Sequence, residues 1–252
     1  MKENYTHISV CVDRSGSMSN MAHEVVMGFN KFVDDQKKES GEATLSLSQF
    51  DDIYEVVHDF VDIQKMGAIK LDPRGSTALL DAMGQTLEGT RAKVLKMKDE
   101  DQPAKVIFVF ITDGQENASS KYNRSQIFAM IKDLKSDDRG DQINWEFVFI
   151  GANQDAIAEG SGMGINARSA ITFDASGEGA TCAFSSLSKG MTSYRKCASG
   201  SASYTFDMAD YDAQDKLLKS KGKATYNKTS ILPRDIPDLD DGIVKIDDED
   251  KV

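Results

Sequence analysis

The chain has 252 residues, 40% hydrophobic and 28% charged, with a formal net charge of −11. That composition bounds it to an ordinary soluble globule of one large domain with at most a small appendage. Its basic residues form no stripe of the kind phosphate backbones require, and no apolar run reaches the roughly 20 residues of a spanning helix, so nucleic-acid binding and membrane insertion are excluded as expectations.

His7–Val12 predicts a short strand, polar and apolar in turn and then continuously apolar. Ser19 or Asn20 is the expected cap of a helix running to about Lys38, with Val25, Val26, Phe29, Phe32 and Val33 on one stripe. "ATLSLSQF" (Ala43–Phe50) alternates as a half-buried strand does. "IYEVVHDFV" follows after only Asp51-Asp52, so the two read as a hairpin with an antiparallel edge strand.

"STALLDAMGQTLEGTRAKVLKM" carries helical spacing, and "KVIFVFI" (Lys105–Ile111) suits a central parallel strand buried on both faces. Then come a helix over Ser125–Lys135, the strand "WEFVFIG", a brief helix near Gln154–Glu159, a weak strand "SAITF" and a last helix over Ala180–Lys196. Strands alternating with helices in this order specify an α/β fold, a doubly wound and mostly parallel sheet with one antiparallel edge strand.

The domain is expected over residues 1–200. Beyond Gly200 the pattern decays into an acidic, partly irregular extension over 201–252, with one helical patch at "DYDAQDKLLKSK". From Asp235 to Val252 eight acidic residues stand against Lys245 and Lys251, a composition that solvates readily and orders poorly. "MKENYTHISV" has no signal-peptide core, and the odd set Cys11, Cys182 and Cys197 shows no CxxC spacing, so reduced thiols in the cytoplasm are expected. Sequons at Asn4, Asn117, Asn123 and Asn227 then read as chance.

Ligands of an open parallel sheet gather at the carboxyl ends of its strands, beside the point where strand order reverses. Three polar clusters fall at such places: Asp13, Ser15 and Ser17 after the first strand, Thr77 in a Gly-containing loop opening a helix, and Asp113 directly after the most apolar strand. Singly, the hydroxyls suit helix caps and turns. Together they make two carboxylates and three hydroxyls, with no His or Cys. That hard oxygen set favours Mg²⁺, with Mn²⁺ close behind and Ca²⁺ less suited to so few donors.

"DRSGSMS" resembles the DxSxS signature of the von Willebrand factor A (vWA) domain, and "GSTALLDA" and "ITDG" resemble its later Thr and Asp elements. The match follows the family's order over about residues 5–200. "GANQDAIAEGSGMGI" is similar to a segment of compact intracellular bacterial or phage members. The resemblance implies a Rossmann-like vWA fold and a metal-ion-dependent adhesion site (MIDAS) formed by Asp13, Ser15, Ser17, Thr77 and Asp113. It also implies a non-enzymatic protein-interaction module, in which a partner's Asp or Glu completes the metal shell.

Two alternatives compete. A Mg²⁺-dependent hydrolase or phosphotransferase needs an acid or base and a phosphate-gripping cation beside the metal. Arg14 or Arg74 would have to supply that cation, and no P-loop, GxSxG or Ser-His-Asp arrangement occurs. A structural subunit with a vestigial metal site is the other, and a monomer is the default assembly. Asp81, one turn after Thr77, reads equally as support for the site or as a structural hydrogen-bonding residue, and Glu116 as a rim carboxylate. His7, His23 and His58 read as structural, Met18, Met21 and Met27 as core filler, and Trp145 as packing.

Overall fold

The computed structural model describes residues 1–136, 142–198 and 202–227. Six strands form one sheet: β1 (Lys2–Asp13), β2 (Glu42–Phe50), β3 (Tyr54–Asp62), β4 (Pro103–Thr112), β5 (Asn144–Ala152) and β6 (Ala170–Phe173). Their spatial order is β3-β2-β1-β4-β5-β6, all parallel except β3, which pairs antiparallel to β2 at one edge. The anticipated doubly wound sheet with one antiparallel edge is therefore the observed one. Every residue of β4 is buried, which is why its sequence reads as a continuous apolar run rather than an alternation.

The helices are α1 (Ala22–Gln36), α2 (Leu79–Lys96), α3 (Arg124–Leu134), α4 (Ala156–Gly162), α5 (Gly177–Lys196) and α6 (Met208–Ser220). α1 packs with α5 and α2 with α3, as right-handed crossovers on the two sides of a parallel sheet require. Gly28 permits the first contact: a Cβ there would lie 2.4 Å from the ring of Phe184. Lys105, buried in β4, closes the C-terminal end of α5 by donating to the carbonyls of Tyr194 and Arg195 at 3.0 Å each, and to that of Cys197.

Several local expectations are corrected. β1 begins at Lys2 rather than His7, because its first residues continue the ladder beside β2 and β4. Neither Ser19 nor Asn20 caps α1: both lie in a 3-10 turn, Gly16–Asn20, where the Ser19 hydroxyl donates back to Gly16 O at 2.7 Å. Met18 and Met21 are core residues, but Met27 is exposed. Trp145 is buried as expected.

The segment after Gly200 holds more structure than its sequence pattern suggests. Tyr204, Phe206 and Tyr211 are buried in the same hydrophobic core as the sheet, with the Tyr204 and Phe206 rings edge to face at 5.2 Å. α6 lies on α5 and β6, and its Gln214 donates to Gly179 O at 3.1 Å. The acidic run 235–252 lies outside the described residues. Among the described residues, no helix is long and apolar enough to cross a membrane.

Candidate metal centre

The chain runs from β1 outward to β2 and β3 and then returns to β4, so strand order reverses between β1 and β4. Asp13 ends β1, and Asp113 follows the last residue of β4. The two carboxylates therefore flank the crevice where ligands collect in such sheets.

Hydrogen bonds show how the five residues meet. Asp13 Oδ1 accepts from Ser15 N at 2.6 Å, a tight Asx turn that reverses the chain directly after the strand. Ser15 Oγ and Ser17 Oγ are 3.0 Å apart, and Ser17 Oγ donates to Asp113 Oδ1 at 2.6 Å. Thr77 joins from the loop before α2: a Cβ on Gly114 would stand 3.0 Å from Thr77 Oγ1 and 3.6 Å from Ser17 Oγ. Gly114 thus leaves the space in which these oxygens converge. Asp13, Ser15 and Thr77 are buried, whereas Ser17 is exposed, so the cluster has a deep end and a solvent-facing mouth.

Burial pushes the Asp13 carboxyl up to about 6, against the hydrogen bonds of Thr112 and Ser15 and with the Asp113 charge adding to the rise. Burial also raises Asp113, partly offset by the Ser17 hydroxyl. Among the described residues, no lysine or arginine pairs with either carboxylate. Arg14, beside Asp13, and Arg74, three residues before Thr77, both turn to Asp51, at 3.0 and 2.7 Å. Burial opposes ionisation of Asp51, yet Arg74, the Ile53 N–H and Arg14 hold its carboxyl below the ordinary range.

Two desolvated carboxylates without a counter-cation, together with three hydroxyls, fit a hard divalent ion in chemistry and charge. Among the described residues, no group of three or more His, Cys, Asp or Glu side chains could hold a metal. Whatever binds here must draw on the hydroxyls.

Other polar residues carry the frame of the site. Thr112 Oγ1 donates to Asp13 Oδ2 at 2.6 Å, and Asn117 clamps Thr77 from both sides, accepting from Thr77 N at 3.0 Å and donating to Thr77 O at 3.1 Å. Glu116 is not a free rim charge: it accepts from Leu80 N, Ala118 N, Ser119 N and Ser119 Oγ at 2.7–2.9 Å. Asp81 receives the backbone N–H groups of Ser120, Lys121 and Tyr122 at 2.8–3.0 Å. These bonds outweigh burial and lower its carboxyl. Asp81 and Glu116 both tie the loop after Asp113 to the start of α2. Thr112 lies inside "ITDG", where the resemblance points to Asp113 and not to it, Asn117 reads in the sequence only as a chance sequon, and Asp51 carries no motif; the polar run "DGQEN" is the hint for Asn117.

The sequence matches no protein-family model and no curated protein. Solved structures do share its fold. Proximal thread matrix protein 1 from the mussel byssus superposes with a TM-score of 0.53 at 16% identity, over 76% of this chain and 47% of that one. A second structure of that protein, described with a zinc-occupied MIDAS motif, gives 0.53 at 18% identity, over 75% and 46%. The vWF domain of the type V pili tip protein Mfa5 from Porphyromonas gingivalis gives 0.52 at 11% identity, over 79% of this chain and 98% of that domain. This chain thus spans under half of the byssus protein and nearly all of the pili-tip domain. At such identities the likeness shows the fold alone: the helix-flanked, mostly parallel α/β sheet that this chain shares with these structures.

Proposed function

We propose that the chain is a metal-dependent protein-interaction module, in which Asp13, Ser15, Ser17, Thr77 and Asp113 hold a divalent cation. The observation that carries this reading is the convergence of those five oxygen-bearing side chains at the β1–β4 crevice with no basic side chain of the described residues among them. When bound, Mg²⁺ or Mn²⁺ supplies a Lewis-acidic position at the mouth, suited to an Asp or Glu of a partner protein. The chain's own residues do the rest. Asp13 and Asp113 neutralise the cation's formal charge, and the neutral hydroxyls leave it electrophilic. The exposed mouth beside Ser17 admits the partner.

The reading is non-enzymatic. A phosphoryl-transfer site needs a cation to grip phosphate, and Arg14 and Arg74 are engaged by Asp51. A cytoplasmic setting is part of the proposal, in keeping with the free thiol of exposed Cys197. A monomer that binds neither nucleic acid nor membrane completes the proposal, in keeping with the acidic net charge.

The deciding experiment is affinity capture from the native host with wild type and Asp13→Ala, each in Mg²⁺ and in chelator. Expected is a partner retained only by wild type in Mg²⁺, with both proteins equally folded by circular dichroism. Equal retention in all four arms overturns the reading.

A further inference from the structure

Asp51 lies just beyond the carboxyl end of β2 and is fully buried. Its Oδ2 accepts from Arg14 Nε at 3.0 Å and from Arg74 Nε at 2.7 Å, its Oδ1 from Ile53 N at 2.6 Å, and its backbone O from Ala78 N at 3.0 Å. Arg14 stands between Asp13 and Ser15, and Ala78 follows Thr77. Arg74 N donates to Arg14 O at 2.8 Å, and Gly16 N to Gly75 O at 3.2 Å. One carboxylate therefore joins the two loops that present Asp13, Ser15, Ser17 and Thr77.

The Arg14 side chain is only 6% exposed, and its second partner is Glu55 at 2.6 Å. A guanidinium is permanently charged and pairs readily with carboxylates. Here it sits one residue from Asp13, which has no cation of its own among the described residues. Asp13 and Asp113, the desolvated carboxylates on the other side of this turn of chain, pair with no lysine or arginine among the described residues.

We propose that Asp51 is the positioning residue of the metal centre, holding Arg14 towards the β2–β3 turn so that its guanidinium does not take the place of a divalent cation between Asp13 and Asp113. The inference rests on the metal-site reading above. It predicts that losing Asp51 weakens metal binding through Arg14, not only through loosened loops.

The test is Mn²⁺ binding, followed by electron paramagnetic resonance of free Mn²⁺, to the full chain and its variants, with thermal melts in chelator to establish folding. Asp51→Asn is expected to weaken binding about ten- to a hundredfold, the range for residues that orient metal ligands. Glu55→Gln, exposed at the surface, weakens it less. Arg14→Gln binds at least as well as wild type, and Arg14→Gln/Asp51→Asn recovers most of the lost affinity.

A double variant no better than Asp51→Asn, or an Asp51→Asn with wild-type affinity, overturns the proposal. If Asp51→Asn does not fold, Arg14→Gln and Glu55→Gln decide: weakened binding by Arg14→Gln, or wild-type binding by Glu55→Gln, overturns it. A wild type that binds no Mn²⁺ removes the metal-site reading itself. Wild-type binding that Asp13→Ala abolishes and Asp51→Asn leaves untouched removes only this inference.

Discussion

Thr112 Oγ1 donates to Asp13 Oδ2 at 2.6 Å, and neither residue has any solvent-accessible surface. The bond joins the central strand to the deepest carboxylate of the candidate metal centre, and it favours the charged form of that carboxylate. Burial acts the other way and prevails, holding Asp13 at about 6. The folded chain therefore keeps a proton on Asp13 between its ordinary carboxylate range and pH 6, where the unfolded chain has lost it. The stability this contributes is present at low pH and lost as pH rises through 6.

Metal binding at the proposed site runs against that proton. A divalent cation takes the carboxylate, so affinity for Mn²⁺ is expected to fall as pH drops through 6, by about tenfold at pH 5 relative to pH 7.5. Thr112→Val removes a donor to the charged form and shifts the loss to higher pH. Isothermal titration calorimetry in buffers of different ionisation enthalpy reads affinity and proton release together. Affinity unchanged from pH 7.5 to 5 would contradict the assignment of Asp13.

Asn117 gives a second handle on the same oxygens. Its side chain accepts Thr77 N, while its own N–H reaches Thr77 O. Asn117→Ala keeps the backbone half of the clamp and leaves Thr77 N without its acceptor. Mn²⁺ affinity is expected to fall about tenfold, with a stability loss of about 1 kcal/mol. Unchanged Mn²⁺ binding in a folded variant would show that the clamp does not position Thr77.

Asp13, Asp113 and the hydroxyls of Ser15, Ser17 and Thr77 were legible in the sequence because each sits at a strand end or helix start, and hydrophobic runs mark those ends. Their supports were not. Thr112 reaches Asp13 across 99 residues, Asn117 reaches Thr77 across 40, and Asp51 reaches Arg14 across 37. No local pattern encodes such pairings; strand order creates them. Glu116 misled for the same reason, since an acid after "DG" looks solvent-facing until the start of α2 supplies Leu80 N–H. Past Gly200 the apolar groups are widely spaced aromatics, Tyr204, Phe206 and Tyr211. They show a helical or strand period too weakly to reveal that they finish the core.

His7 makes acid sensitivity measurable away from the candidate metal centre. Its Nδ1 is 2.9 Å from Thr44 Oγ1, its ring stacks on Phe60 at 3.6 Å, and its Nε2 is buried without a partner among the described residues. Burial, helped by the charge of Lys93, lowers it to about 3. The unfolded chain takes up the proton near pH 6.5 and the folded chain does not, so stability falls as pH drops from 6.5 towards 3. Between pH 7.5 and 5, wild type is expected to lose about 2 kcal/mol more than His7→Gln. Urea unfolding at both pH values gives the difference, and equal losses would mean that His7 is protonated in the folded state.

Asn227 closes the opposite edge of the sheet. Its Oδ1 accepts from Thr172 N at 2.8 Å, and its Nδ2 donates to Thr172 O at 3.0 Å and to Asp215 Oδ1 at 2.8 Å. Among the described residues β6 pairs with β5 on one side only, so this side-chain amide satisfies backbone groups that a further strand would otherwise meet. Asn227→Ala leaves a buried donor and a buried acceptor unpaired and is expected to cost about 3 kcal/mol, each such group being worth about 1–3 kcal/mol. Asn227→Asp is expected to cost at least as much, because it keeps the acceptor for Thr172 N but sets a carboxylate oxygen against both Thr172 O and Asp215. Urea denaturation of the three proteins at pH 7 measures both losses. A change below about 0.5 kcal/mol, the level of an ordinary surface substitution, would mean that the edge of β6 is held by the packing of α6 and not by this residue.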